Sequence, residues 1–266
     1  NISCNDYVQM SLQIFKGKEK IKMKIEYCIL SDKGKIRNEN QDRIFVSDEG
    51  IFNNNKEYLF VHRKSDVKNG TVFAVFDGIG GELCGSDASQ IAVDTMISEC
   101  KNNKICNMVD LCFKMNRNIC EFMFTNRIKS MGTTAAMLQL FNDEFKICNI
   151  GDSRIYAYSN NELFQLTTDH TVNIGRAKKR RVLTQFLGIP ETEFEIKPFE
   201  CDYNYSSNDI FLVCSDGLTD LVKDEKIKDI ISSNDLSSAC EKLYRLAIQN
   251  GGRDNISIIL CKLLKD

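Results

Sequence analysis

The chain has 266 residues, 42% of them hydrophobic, which is enough for a sizeable core, and a formal net charge of −2 from 35 Lys+Arg against 37 Asp+Glu. That balance offers no basic field for nucleic acid, and no stretch approaches the roughly 18 apolar residues of a membrane span. No secretory signal pattern opens the sequence. The length fits one large domain, placed at 23–266, with residues 1–22 read as an N-terminal extension or tail; Asn1 opens the sequence and Met23 is an alternative start.

In chain order, strand-like runs fall at 25–30 (IEYCIL), 43–47 (RIFVS), 57–62 (EYLFVH) and 71–76 (TVFAVF). Helices follow at 86–100, where Ala88, Ile91, Ala92 and Thr95 recur at helical spacing, and at 107–125, where Val109, Cys112, Phe113, Asn116, Cys120 and Met123 do so. Strands resume at 134–141, 144–150, 154–159 and 209–214. A short helix is predicted at 224–231, a longer one at 235–250 with the stripe Leu236, Ala239, Cys240, Leu243 and Ala247, and a last strand at 256–261. Residues 141–144 and 159–162 read as hairpin turns. Most neighbouring strands are joined by turns too short for a parallel crossover. The pattern predicts an α+β fold of antiparallel sheets with helices packed outside. The 12 cysteines include no CxxC pair, and most lie on apolar faces, so they are read as reduced, buried thiols of an intracellular, cytoplasmic protein.

The chemistry is carried by aspartates at strand ends: Asp77 in FAVFDGIGG, Asp152 in KICNIGDSR, Asp216 in IFLVCSDGL and Asp254 in GGRDNISIIL, with Asp42 ending RNENQD. Any one Asp-Gly or Asp-Asn is a common turn. Several carboxylates at strand rims are harder to explain as turns, because close carboxylates need a cation or a proton to coexist. Hard divalent ions take such oxygen ligands. A two-ion centre would lower the pKa of a bridging water, orient it and neutralise charge, which suits phosphoryl chemistry. Arg37 supplies a guanidinium fork suited to phosphate.

Taken together and in order, RNENQD (37–42), VFDGIGG (75–81), MGTT (131–134), IGDSRIY (150–156), LTTDH (166–170), CSDGLTD (214–220) and GGRDNISIIL (251–260) resemble the metal-dependent serine/threonine protein phosphatase family PPM, or PP2C, in its bacterial-type form. The resemblance spans about residues 25–264. It implies an α-β-β-α sandwich of two antiparallel sheets flanked by helices, with two Mn²⁺ or Mg²⁺ ions in a cleft at one end. Asp77 would bridge both ions, the Gly78 carbonyl would bind one, Asp216 and Asp254 would hold the other, and Asp42 would act through water on an ion. Asp152 with Asp216 matches a third, weaker ion position. Arg37 would grip the substrate phosphate, so the catalytic set is Arg37, Asp42 and Asp77. Thr133 and Thr134 match a core strand, with Gly132 allowing close approach. The implied partners are proteins phosphorylated on Ser/Thr and a cognate Ser/Thr kinase or its targets.

The sequence departs from the family pattern in places. Ile79 stands where animal relatives carry a His proposed as general acid, and neither His62 nor His170 replaces it; a structural hydrogen bond is expected for His170. Gln41 precedes Asp42 where relatives often have an acid. The flap after the LTTDH motif, about 171–188, is short and holds the basic run Lys178-Lys179-Arg180-Arg181, read as a solvated loop or as a contact for acidic or phosphorylated peptide. Residues 48–70 are long for their connection and are expected to form a hairpin that reshapes the cleft. Two other functions stay open at this point: a pseudophosphatase that binds phosphoprotein, and a small-molecule phosphate-ester hydrolase.

Overall fold

The computed structural model describes residues 24–47, 50–52, 58–66, 70–80, 84–100, 107–141, 144–175 and 180–264. The tail expected over 1–22, Gly81, and Lys178 and Lys179 of the basic run lie outside the described residues.

The strand-like runs assemble into two six-stranded antiparallel sheets. One has the order β11 (Glu162–Gln165), β10 (Arg154–Ser159), β15 (Ile210–Cys214), β16 (Ile256–Leu264), β1 (Lys24–Asp32) and β4 (Tyr58–Asp66). The other has the order β14 (Phe199–Asn204), β9 (Glu144–Ile150), β8 (Ala135–Phe141), β5 (Val72–Phe76), β2 (Arg43–Val46) and β3 (Gly50–Phe52). The central strands are buried on both faces, which is why they read as nearly unbroken apolar runs rather than alternating ones. In β1, Tyr27 and Ile29 point to the inter-sheet core with Phe73, Val75, Leu138, Phe211 and Ile259, while Cys28 and Leu30 face the helical layer. Each large side chain buried this way contributes about 1.5–3 kcal/mol.

The helices close the outer faces. α1 (Cys84–Glu99) and α2 (Met108–Asn126) pack Ala88, Ala92, Met96, Cys112 and Met115 onto Phe76, Met137 and Ile150 of the second sheet. α2 is capped by Asn107, whose side chain accepts from the N–H groups of Val109 and Asp110. A single turn, α3 (Asp216–Thr219), is followed by α4 (Asp224–Ser232) and α5 (Leu236–Gln249), which set Ile227, Ile231, Leu236, Cys240 and Leu243 against Leu30, Leu212 and Leu260 of the first sheet. The result is the α-β-β-α sandwich expected from the sequence.

Element limits shift by a few residues from the expectation; the strand expected at 57–62, for instance, runs over 58–66. The Ser159–Glu162 turn is present, with Asn160 and Asn161 both at positive φ (51° and 64°). The expectation of a hairpin within 48–70 is not met. Among the described residues, β3 adds to the edge of one sheet beside β2 and β4 adds to the edge of the other beside β1, so these two strands do not pair with each other. Edge strands such as β14 escaped the sequence reading because FECDYN alternates part-buried and exposed residues and carries two charges.

A candidate metal-dependent phosphoryl-transfer site

Seven segments of the described chain meet at one end of the sandwich around a cleft of about 830 Å³. Arg37, Asp77, Gly78, Asp152, Asp216 and Asp254 all line it, together with Gln41, Thr134, Arg181 and Arg253. Of the candidate residues only Asp42 does not line the cleft. It is 0% exposed and accepts from the Ser215 hydroxyl at 2.8 Å.

Asp77 follows β5 directly, and its backbone is clamped. Its carbonyl accepts from the Thr133 hydroxyl (2.9 Å) and the Thr134 N–H (2.9 Å), and its own N–H donates to Thr134 Oγ1 (3.1 Å). Thr134 Oγ1 also shares a hydrogen bond with the Ser153 hydroxyl at 2.7 Å, one residue from Asp152. The two threonines read as core-strand residues therefore also fix the position of a cleft carboxylate. Gly78 continues into a two-residue strand, β6 (Gly78–Ile79), that pairs with β7 (Gly132–Thr133). A Cβ on Gly78 would come within 2.3 Å of the Gly85 carbonyl oxygen, and one on Gly132 within 2.5 Å of the Phe186 ring. Glycine is required at both places by close packing.

Asp216 opens α3 and Asp254 precedes β16. Asn255 ties this edge to the segment carrying Arg37 and Asp42: its side-chain amide donates to the carbonyls of Lys33 (3.0 Å) and Glu39 (2.9 Å), and its Oδ1 accepts from the Gln41 N–H (2.8 Å). No sequence signal beyond its place in the GGRDN motif marked Asn255 for this role. Gln41 Nε2 donates to Glu39 at 2.7 Å. His170 Nδ1 accepts from the Gly151 N–H at 3.1 Å, a structural bond that holds the turn before Asp152. His62 lies on β4 and pairs with Glu26, and neither residue lines the cleft.

The electrostatics follow from carboxylates sharing a partly desolvated space. Burial, then repulsion from Asp42, Asp216, Asp254 and Asp152, pushes the Asp77 carboxyl well above its ordinary range. Burial and the charges of Asp152, Asp220, Asp254 and Asp42 push Asp216 up to about 8. Asp42 rises to about 6 through burial, opposed by hydrogen bonds from Ser257 and Ser215. Two arginines offset part of this repulsion. Arg37 makes a bidentate pair with Asp254 (2.8 and 2.5 Å), and that hydrogen bonding raises its own pKa. Arg181 donates to Asp152 at 2.9 Å and to Asp220 at 3.0 Å. Burial still raises Asp152, with the Arg181 hydrogen bond opposing the shift.

Among the described residues, no three or more His, Cys, Asp or Glu side chains close on one point at ligating spacing. The aspartates face a common cleft, with Asp254 and Asp152 turned to arginines. Their donor set is entirely oxygen, and their mutual repulsion is what a hard divalent cation relieves. This all-oxygen donor set fits Mn²⁺ or Mg²⁺, and Asp77, Gly78, Asp216 and Asp254 all line the cleft.

A sequence profile described as protein phosphatase 2C matches residues 60–256, and the chain belongs to that family. Its relatives include bacterial phosphatases. It is 28% identical over 253 residues to the serine/threonine phosphatase stp of Listeria welshimeri, covering 86% of this chain and 92% of the relative. It is 28% identical over 262 residues to the protein phosphatase PhpP of Streptococcus pneumoniae, covering 90% and 98%. The fold matches the catalytic domain of the serine/threonine protein phosphatase PstP, solved in complex with two manganese ions, with a TM-score of 0.69 and 22% identity over 91% of this chain and 99% of that one.

Proposed function

We propose that the protein is a metal-dependent serine/threonine phosphatase that hydrolyses phosphoserine and phosphothreonine monoesters on proteins. The observation that carries this reading is the arrival of Asp77, Asp152, Asp216 and Asp254, from four separate strand ends, at one cleft that Arg37 also lines. Asp77, the Gly78 carbonyl, Asp216 and Asp254 would hold two Mn²⁺ or Mg²⁺ ions. When bound, such ions activate water and neutralise charge on the phosphoryl group.

The chain's own residues perform the remaining tasks. Thr133 and Thr134 hold the Asp77 backbone, so its carboxylate is placed before any ligand arrives. Asp42, buried behind the cleft and oriented by Ser215, adds negative potential from below. Arg37 has 54% of its side chain exposed, so exchanging Asp254 for a phosphate oxygen pair costs it little desolvation. Its planar fork would then orient the phosphoryl group. Ile79 offers no proton at the rim, so protonation of the leaving oxygen falls to water. Phosphorylated proteins are the substrates in this reading, with a cognate Ser/Thr kinase as the opposing activity and the cytoplasm as the location. No helix among the described residues is long and apolar enough to cross a membrane.

The test is hydrolysis of p-nitrophenyl phosphate and of phosphopeptides by the purified chain, with and without Mn²⁺, beside Asp77→Ala and Asp216→Ala. The reading predicts Mn²⁺-dependent turnover of phosphopeptides that both substitutions abolish. Absence of such turnover would instead indicate a phosphoprotein-binding module. Turnover of a small metabolite far above that of phosphopeptides would indicate a small-molecule hydrolase.

A further inference from the structure

The basic run after the LTTDH motif places one residue in an unexpected position. Strands β12 (Thr171–Ile174) and β13 (Arg180–Leu183) form a two-stranded antiparallel unit that joins neither large sheet. A two-stranded hairpin is marginal by itself in water, so this one depends on what holds it to the body. Arg181, paired with Asn173 across the hairpin, turns back to the cleft. One guanidinium nitrogen donates to Asp152 (2.9 Å) and lies 3.8 Å from Asp169, and the other donates to Asp220 (3.0 Å). Arg154 already covers Asp169 with contacts of 2.6–3.1 Å. That leaves Asp152 and Asp220 to Arg181. The side chains of Arg181 and Asp152 are only 30% and 10% exposed, so this pair is poorly screened by solvent.

We propose that Arg181 is a resident counter-ion at the Asp152–Asp220 corner of the cleft: it docks the β12–β13 strand pair there and competes with any divalent ion for those carboxylates. The proposal rests on the two-ion reading of the neighbouring carboxylates, and what it adds is that Asp152, which the family resemblance matches to a third ion position, is held by the chain's own guanidinium. An ion that takes Asp152 must displace a directed, two-carboxylate guanidinium contact. Occupancy of that position is therefore weak, and it is linked to release of the hairpin from the cleft rim.

Two measurements on the full chain test this. The first is equilibrium Mn²⁺ binding to the wild type and to Arg181→Gln, which keeps a polar side chain but loses the charge. The expected result is two ions per wild-type chain, and a third in the variant bound roughly tenfold or more tightly than any third ion in the wild type. Equal stoichiometry and affinity in the two proteins would overturn the competition. The second is hydrogen exchange of residues 171–174 and 180–183 in metal-free protein. Arg181→Gln and Asp220→Asn are each expected to speed exchange by roughly tenfold, and unchanged exchange would overturn the docking. A wild type that binds no ion would sink the two-ion reading and the competition with it, while the metal-free exchange result would still decide whether Arg181 docks the hairpin.

Discussion

The cleft contains two arginine–aspartate contacts that differ in geometry and setting: Arg37 grips Asp254 with both ends of its fork, whereas Arg181 divides its fork between Asp152 and Asp220. Arg37–Asp254 is open to solvent, with side chains 54% and 34% exposed, whereas Arg181–Asp152 is much less so, at 30% and 10%. An exposed pair is worth little and is readily exchanged; a more enclosed one loses more when a partner is removed. The contrast assigns the two cations different work. On the proposed readings, Arg37 would leave its carboxylate for a substrate phosphate, while Arg181 would hold a strand pair against the cleft until an ion displaces it. Two other cleft carboxylates, Asp77 and Asp216, have no arginine partner of this kind among the described residues and show the strongest upward shifts in proton affinity of the cleft aspartates.

The largest expected effect falls on Asp77 and Asp216. Asp77→Asn or Asp216→Asn should lower Mn²⁺-dependent kcat/KM by about a thousandfold or more, since several kcal/mol of charge stabilisation goes with the ions. Circular dichroism should show the fold retained. Loss of only a few-fold in activity would place the chemistry elsewhere.

Next comes the exposed arginine. Arg37→Ala should reduce kcat/KM by about 10–100-fold, the worth of a charge-assisted bidentate contact, while Mn²⁺ affinity is retained or improved as Asp254 is freed. A variant that instead loses its metal would show that Arg37 supports the carboxylates and does not bind phosphate.

A third test uses pH. Asp77, Asp216 and Asp42 bind protons more tightly in the folded chain than in the unfolded one, where a carboxyl titrates near 4. The stability of metal-free protein should therefore fall as pH rises from about 4 to about 8, the window set by the unfolded value and by Asp216. Mn²⁺ should flatten that fall, because the ions replace the protons. Urea titrations across the range, with and without Mn²⁺, measure both slopes; coincident slopes would contradict the account.

The fold was legible because its central strands are buried on both faces and end abruptly at Asp-Gly or Gly-Asp turns. VFAVF before Asp77 and IFLVC before Ser215-Asp216 are examples. The same feature made the aspartates stand out as carboxylates at rigid rims. Arg181 could not be read this way. Its role depends on the register of β12 with β13, and one residue of slip would turn its side chain to the opposite face. Within the sequence it is one cation in a run of four. Thr133 and Thr134 were legible as a buried strand, but their grip on the Asp77 backbone depends on how that strand passes behind β5.

The smallest predicted effect concerns that grip. Thr134→Val preserves volume but removes the acceptor for the Asp77 N–H and the partner of Ser153. It should cost about 1–3 kcal/mol of stability in denaturant titration and lower kcat more than it raises KM. A change confined to stability would mark Thr134 as a core residue alone.

The most direct test is a Mn²⁺-soaked crystal with anomalous diffraction measured at the manganese edge. The account predicts two strong peaks in the cleft, touching Asp77, the Gly78 carbonyl, Asp216 and Asp254, with Arg37 turned away from Asp254. Peaks confined to other surfaces, or none at saturating Mn²⁺, would contradict it.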